Sequence, residues 1–136
     1  MTEVINIPAY NIILYGRSIG SGPSCYLAEK YNIAGLMLHA PLMSICRVVF
    51  SSLRWTLPFD KFPNIDRIKN FDCPVYICHG TRDEIVDVCH GRRLWENCVN
   101  KEVQPYFVES AGHNNIEKYA GKEYLIRVRK FIDHVD

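Results

Sequence analysis

The sequence predicts an α/β fold with a mostly parallel sheet of about four strands and crossover helices. Short apolar runs alternate with helical stretches along the whole chain, which is the pattern of parallel strands joined by helices. The first three apolar runs show little polar alternation, as expected for strands buried on both faces. With 136 residues and 48% hydrophobic content, the chain is sufficient for one domain with a substantial core.

Four strands and four helices follow from this pattern. The predicted strands are residues 11–15, Gly35–His39, 75–79 and 105–108. The predicted helices are Ser21–Lys30, 65–69, 89–98 and 117–135. Apolar residues recur at a helical period in the last helix and predict a face that docks on the sheet. They are Tyr124, Leu125, Val128, Phe131, Ile132 and Val135.

Residues 40–64 interrupt the alternation. This stretch is long for a connection between a strand and a helix, and it is rich in large apolar side chains. Long ordered loops of this kind often act as lids over a site. The alternatives are that these side chains pack on the edge of the sheet, or that a short cap does both.

The charge balance bears on the partners of the protein. The formal net charge is +1, and the one notable basic run is residues 127–130. Lys and Arg are otherwise mixed with Asp and Glu, so no nucleic-acid partner is predicted. No apolar run reaches the roughly 20 residues that a membrane span needs, and the first residues lack a secretion signal. We therefore expect a cytoplasmic location.

The cysteines predict free thiols. Six cysteines include no CxxC pair and no metal-ligand spacing with the five histidines. The glycine-rich residues 16–22 lack the Lys-Ser/Thr ending of a P-loop. The sequence therefore predicts neither a metal site nor an organic cofactor.

A serine stands at the junction of the first predicted strand and the first predicted helix. Residues 16–20 (GRSIG) place Ser18 in the G-x-S-x-G pattern of a nucleophile elbow, a sharp turn that presents the serine Oγ above the sheet. Gly16 and Gly20 are expected to let neighbouring chain pass without a Cβ clash. The backbone N–H of Ile19 is the predicted oxyanion donor. The motif alone is weak, because ordinary turns also carry glycines around a serine.

An aspartate follows the third predicted strand. Asp83 lies at the same carboxyl edge of the sheet as Ser18, where catalytic groups gather in parallel sheets. It is therefore the predicted acid of a catalytic triad, with Glu84 and Asp87 as competitors. The alternative is an ordinary turn or helix-capping aspartate.

A histidine follows the fourth predicted strand. His113 stands in a Gly-flanked loop, from which it can take a proton from Ser18 and be oriented by Asp83. The order serine, acid, histidine along the chain is the order found in folds that carry a nucleophile elbow. The remaining histidines lack such settings, and those that end strands are expected to be hydrogen-bonded and partly buried. His39 and His79 end strands, His90 opens a predicted helix, and His134 lies in the tail.

Several stretches beyond the motif carry a family resemblance. From about residue 12 to residue 135 the chain resembles the alpha/beta-hydrolase domain proteins, most closely subfamily seventeen, whose members are palmitoyl-protein thioesterases. The matching stretches are ILYGRSIGSGP, LHAPLMS, FDKFPNID, CPVYICHGTRDEIVD and ESAGHNNIE. The nucleophile, acid and base of the family fall on Ser18, Asp83 and His113.

The resemblance implies a serine hydrolase that removes fatty acyl groups from protein cysteines. Its substrate would be an S-acylated protein, which implies peripheral association with the cytosolic face of membranes. The acyl chain would lie against apolar side chains of the lid-like segment. These candidate substrate-binding residues are Leu42, Met43, Phe50, Trp55 and Phe59. The alternatives are a related serine peptidase or esterase, or a catalytically impaired fragment that binds a partner.

The resemblance covers only the C-terminal part of the alpha/beta-hydrolase fold. In the family, the half before the elbow supplies more strands and a second oxyanion N–H. The interpretation is therefore a partial alpha/beta-hydrolase domain over residues 1–136, with weakened oxyanion stabilisation. Residues 11–15 would become an exposed strand edge, which favours self-association.

Overall fold

The computed structural model describes residues 6–136, in which four parallel strands form one sheet in the order β1-β2-β3-β4. The strands are β1 (Ile13–Arg17), β2 (Gly35–His39), β3 (Val75–Gly80) and β4 (Tyr106–Val108). The register pairs Leu38 of β2 with Gly16 of β1 and with Ile77 of β3. The predicted α/β class and parallel sheet are confirmed.

Six α-helices accompany the sheet in the described chain. They are α1 (Ser21–Lys30), α2 (Ile45–Val49), α3 (Asn64–Arg67), α4 (Val88–Asn97), α5 (Ile116–Ala120) and α6 (Lys122–Val135). Two short 3₁₀ helices, Ala9–Asn11 and Ser18–Gly20, flank β1. The crossover helices were predicted within about two residues, whereas α2 lies in a stretch that was expected to be a loop.

The first strand begins later than predicted. Residues 9–11 form a 3₁₀ turn after Pro8, and the N–H of Ile12 bonds to the carbonyl of Ala9. A backbone N–H committed to a turn cannot join the sheet ladder, so the strand starts at Ile13 rather than at residue 11. It therefore runs to Arg17, directly before Ser18.

The core lies on both faces of the sheet. Leu36 and Leu38 of β2 pack on one face with residues of α1, α3 and α4, and Met37 packs on the other face with residues of α5 and α6. This follows from the alternation of side chains along a strand. Every residue of β2 and β3 is buried, whereas Tyr15 of β1 is 51% exposed because β1 is an edge strand of the described sheet.

The last predicted helix is two helices. Gly121 has φ +56° and ψ −133°, a backbone conformation that breaks the helix between α5 and α6. Phe131 is buried as predicted, and Tyr124, Val128 and Val135 are partly buried against the same cluster. Leu125 and Ile132 face solvent instead, at 67% and 38% exposure. Leu125 and Ile132 each follow a residue of the buried stripe by one position in α6, which places them about 100° around the helix from it.

Buried polar contacts hold the segment of residues 40–64 together. Arg47 is only 5% exposed, and its guanidinium donates to Thr56 Oγ1 at 3.2 Å and lies 4.0 Å from Asp60 Oδ2. The other carboxylate oxygen of Asp60 accepts the N–H of Cys46 at 3.0 Å. The segment is therefore fixed by its own side chains. Its action as a lid stays a prediction.

The remaining expectations about the chain concern its thiols and its helices. All six cysteines are free thiols, as predicted. Within residues 6–136, no helix has both the length and the apolar character that crossing a bilayer requires.

Candidate active site

The elbow serine has a strained backbone. Ser18 lies directly between β1 and the 3₁₀ turn that leads into α1, and its φ is +50°. A residue with a Cβ avoids this left-handed region, at a cost of roughly 1–3 kcal/mol. Such strain at a strand-to-helix turn is typical of a residue whose side chain must project from the edge of the sheet.

The two glycines of the motif differ in their surroundings. A Cβ added at Gly16 would stand 2.7 Å from the carbonyl oxygen of Gly20 and 2.9 Å from the Cα of Ser21. These are backbone atoms that cannot rotate away. At Gly20, nothing within residues 6–136 lies within 4 Å of the added Cβ, and φ is −62°. The expected requirement for a residue without a Cβ therefore holds at Gly16, whereas the described chain imposes no such requirement at Gly20.

Asp83 lies just beyond β3 with its side chain fully buried. Its Oδ1 accepts the backbone N–H groups of Ile85 at 2.9 Å and Val86 at 2.8 Å. Its Oδ2 faces His113. One carboxylate thus forms the turn that the simpler interpretation expected and the contact that a triad requires.

Several hydrogen bonds keep this carboxylate ionised. Burial alone raises the pKa of Asp83, but donors from His79, Val86, His113 and Ile85 outweigh burial and lower the pKa to about 2. Asp83 is therefore charged at neutral pH, so it can hold a histidine in one tautomer.

His113 bridges Asp83 and Ser18. Its Nδ1 lies 2.7 Å from Asp83 Oδ2, and its Nε2 lies 3.0 Å from Ser18 Oγ. The carboxylate can only accept, so Nδ1 carries a proton and Nε2 of the neutral ring is free to accept from the serine hydroxyl. The three predicted residues form one continuous hydrogen-bonded chain.

A second histidine contacts the same carboxylate. His79 is fully buried, and its Nε2 lies 2.8 Å from the carbonyl oxygen of Val86 and 3.3 Å from Asp83 Oδ2. Because a carbonyl only accepts, this nitrogen is protonated and also points at Asp83. His79 was not predicted to belong to the site. The spacing of four residues between His79 and Asp83 at the end of a strand was the available signal.

Asp87, one of the competing acids, and two of the other histidines have structural contacts outside the triad. Asp87 caps α4 by accepting the N–H of Cys89 at 2.8 Å. His90 accepts the N–H of Met43 at 3.0 Å, and His39 contacts the hydroxyls of two tyrosines, so both are buried and hydrogen-bonded. Burial lowers the pKa of each of these histidines to about 4.

The residue beside the nucleophile connects two loops. Arg17 reaches Glu117 Oε1 at 3.3 Å and the backbone carbonyl of His113 at 3.5 Å. Its side chain is 38% exposed. Arg17 thus ties the end of β1 to the loop that carries the base.

The five predicted substrate-binding residues differ in exposure, and their role stays a prediction. Leu42 and Met43 are buried in the structure, whereas Phe50, Trp55 and Phe59 are 61%, 66% and 74% exposed. A cavity of about 390 Å³ adjoins His113, and none of the five lines it. Its walls are Arg82, Glu84, Ile85, Ser110, Gly112, His113, Asn114 and Asn115.

The predicted oxyanion donor lies in the turn that contains the nucleophile. Ile19 is the middle residue of the 3₁₀ turn that starts at Ser18, and its side chain is 59% exposed. Its role as oxyanion donor stays a prediction.

Among residues 6–136, no group of three or more His, Cys, Asp or Glu side chains is arranged to hold a metal ion.

Sequence comparison identifies relatives of the chain. Alpha/beta hydrolase domain-containing protein 17C of Xenopus tropicalis is 51% identical over 124 residues, which are 91% of the chain and 39% of the relative. Alpha/beta hydrolase domain-containing protein 17B of Homo sapiens is 48% identical over 122 residues, which are 90% of the chain and 41% of the relative. The chain is homologous to these alpha/beta hydrolases. The predicted resemblance is confirmed, and the chain spans about two fifths of the length of these relatives.

Solved structures of hydrolases share the fold. An esterase of Pyrococcus furiosus matches 98% of the chain with a TM-score of 0.77 and 18% identity, and the match covers 57% of the esterase. A monoacylglycerol lipase of Paleococcus ferrophilus matches 91% of the chain with a TM-score of 0.68 and 16% identity, over 68% of the lipase. No protein-family model matches the chain. The fold is therefore part of the alpha/beta-hydrolase fold.

Proposed function

We propose that the protein is a serine hydrolase that cleaves fatty acyl thioesters from protein cysteines. The single observation that carries this proposal is the chain of hydrogen bonds from Asp83 through His113 to Ser18. This arrangement supplies a nucleophile, a base and an orienting acid. Homology to alpha/beta hydrolases supports the reaction class.

In the first half-reaction, Ser18 Oγ attacks the thioester carbonyl carbon while His113 Nε2 takes the hydroxyl proton. Asp83 stabilises the imidazolium that forms, without taking its proton. The carbonyl oxygen becomes an oxyanion, for which the backbone N–H of Ile19 is the nearest candidate donor along the chain. The intermediate then collapses, the C–S bond breaks, and the imidazolium protonates the departing cysteine thiolate.

In the second half-reaction, water replaces the thiol. His113 takes a proton from the water, and the resulting hydroxide attacks the acyl-enzyme carbonyl. The C–O bond to Ser18 breaks, and His113 returns the proton to Oγ. The products are the free fatty acid and the protein cysteine, and the protein ends in its starting state.

Apolar surface on the segment of residues 40–64 supports a fatty acyl substrate. Phe50, Trp55 and Phe59 are all more than half exposed. Covering such side chains with an acyl chain gains roughly 0.8 kcal/mol per CH₂ group. We propose that these residues contact the acyl chain, and that the substrates are S-acylated proteins at the cytosolic face of membranes.

A substrate comparison tests the proposed reaction. Peptides carrying a palmitoyl thioester, short-chain esters and aminoacyl amides would be supplied to the protein and to Ser18→Ala. We expect the thioester to be hydrolysed with the highest kcat/KM, and Ser18→Ala to hydrolyse none of them above background. Preference for the short ester or for the amide would contradict the thioesterase proposal and favour a related esterase or peptidase.

A further inference from the structure

Three hydrogen bonds converge on one hydroxyl next to the elbow. Ser21 Oγ is completely buried and lies 2.6 Å from the carbonyl oxygen of Ser18. It also lies 3.3 Å from the backbone N of Leu42 and 3.1 Å from Nδ2 of Asn64. Leu42 is near the start of the segment of residues 40–64, and Asn64 is its last residue. Both ends of the segment therefore meet at one side chain.

The direction of each hydrogen bond follows from the groups involved. The backbone N–H of Leu42 and the amide Nδ2 of Asn64 can only donate, so they occupy the two acceptor positions of the Ser21 hydroxyl. Its one proton is then left for the carbonyl of Ser18, which can only accept. The second N–H of the Asn64 amide donates to the carbonyl of Leu42 at 2.8 Å. The two acceptor positions and the one proton of the Ser21 hydroxyl are all used, which fixes the orientation of the hydroxyl.

The end of the segment also packs on the helix that follows the nucleophile. A Cβ added at Gly22 would overlap the ring of Phe62, so this aromatic ring lies directly on the first turn of α1. Phe62 itself has φ +53°. Residues 62–64 thus contact α1 by an apolar contact at Gly22 and by a hydrogen bond at Ser21.

Resting on the proposed function, we propose that Ser21 and Asn64 are positioning residues that hold Ser18 in its reactive backbone conformation and couple it to the segment of residues 40–64. Ser18 has a positive φ, a conformation that an unsupported serine leaves readily. The Ser21 hydroxyl fixes the carbonyl of Ser18, and the Asn64 amide fixes the proton of that hydroxyl. A shift of the segment at either end therefore changes the support of the nucleophile.

The substitution Asn64→Asp tests this with almost no change of shape. A carboxylate can only accept, so it repels the Leu42 carbonyl and attracts the Ser21 proton away from Ser18. We expect the acylation rate of Ser18 at saturating short-chain thioester to fall about ten-fold, which is the effect of losing one well-placed hydrogen bond. KM should change less than about two-fold, because the wall of the substrate site is untouched. Ser21→Ala should behave in the same way.

The control is Asp60→Asn, an equally small change on the same segment. The Asp60 side chain is also fully buried, but its partners are Cys46 and Arg47 and not the elbow. Asp60→Asn should lower the melting temperature and leave the acylation rate per folded molecule unchanged. Equal rates per folded molecule in Asn64→Asp and the parent protein would overturn the proposal, because a merely structural contact changes only the folded fraction.

Amide hydrogen exchange separates this inference from the proposed function. The backbone N–H of Ser21 bonds within the turn of Ser18–Gly20, so its protection reports on the elbow whether or not the protein turns over substrate. We expect Asn64→Asp to lower protection at Ser21 at least ten-fold relative to β3. Unchanged protection in Asn64→Asp would refute the coupling even if the parent protein is inactive. Lowered protection in Asn64→Asp, together with a parent protein that has no activity, would refute only the proposed function.

Discussion

The Nε2 atom of His113 lies 3.0 Å from the Oγ atom of Ser18, although 95 residues separate them along the chain. No local structure can produce this contact. Ser18 follows β1, and His113 follows β4, at the opposite edge of the sheet. Parallel strands end at the same side of a sheet, so the sheet itself brings the two loops together, with Asp83 after β3 between them.

The two glycines of the elbow should respond differently to substitution. Gly16→Ala places a Cβ against the backbone of Gly20 and Ser21, so we expect a loss of about 1–3 kcal/mol in the free energy of unfolding. Gly20→Ala meets no atom within 4 Å in the described chain, and we expect it to be neutral or to stabilise by up to about 1 kcal/mol. Urea denaturation of both variants measures the difference. Equal losses would contradict the assignment.

Asp83→Asn should remove activity with little change in fold. The N–H groups of Ile85 and Val86 fix one side-chain oxygen, so the amide NH₂ of the new asparagine must face His113. It would donate where the carboxylate accepts and would favour the wrong tautomer of the base. We expect kcat to fall about 10⁴-fold. A loss below about ten-fold, measured with circular dichroism matching the parent protein, would mean that Asp83 is only a turn residue.

Buried histidines should make the protein less stable in mild acid. The pKa of His90 is lowered to about 4, chiefly by burial, from an ordinary value of 6.5. Between these two values the unfolded chain binds a proton at His90 that the folded chain does not bind. The contribution of His90 to the free energy of unfolding is therefore complete above pH 6.5 and is lost as the pH falls towards 4. For His90 it is on the order of 3 kcal/mol.

His90→Asn tests this pH dependence. The asparagine oxygen can replace Nδ1 as the acceptor for the N–H of Met43 and does not titrate. We expect the free energy of unfolding to fall less steeply between pH 6.5 and 4 than in the parent protein, where the pKa of His39 is lowered in the same way. The control is His134→Asn, whose side chain is 42% exposed. An unchanged pH slope in His90→Asn would show that His90 is not the group responsible.

Arg17→Ala should affect catalysis more than stability. Its ion pair with Glu117 is partly exposed, and such pairs contribute about 0–1 kcal/mol to folding. Its contact with the His113 carbonyl nevertheless braces the loop that carries the base. We expect kcat to fall about three- to ten-fold with an unfolding free energy within about 1 kcal/mol of the parent protein. A rise in KM alone would instead indicate that Arg17 binds substrate.

The parts predicted well are those with local signals. The apolar runs of β2 and β3 are continuous because both faces of each strand are buried. Ser18, Asp83 and His113 each follow a strand, so their order along the chain was enough to predict that they lie at one edge. The distances between their side-chain atoms could not be predicted, because they depend on how the strands and loops pack.

The parts missed depend on contacts between distant residues or on single backbone angles. Leu42 and Met43 were named from composition alone, and their burial includes a hydrogen bond from Met43 to His90, 47 residues away along the chain. The helix break at Gly121 rests on one positive φ within a continuous apolar pattern. The partnership of Ser21 with Asn64 joins residues 43 positions apart, and no local pattern reports it.

Labelling of the purified protein with a fluorophosphonate probe tests the central claim most directly. The probe reacts with a serine only when a base activates it. Circular dichroism would establish that the parent protein and Ser18→Ala are equally folded. We expect the parent protein to be labelled at Ser18, and Ser18→Ala and His113→Ala to remain unlabelled. Folded parent protein that takes up no probe would contradict the claim that Ser18, His113 and Asp83 form a working catalytic triad.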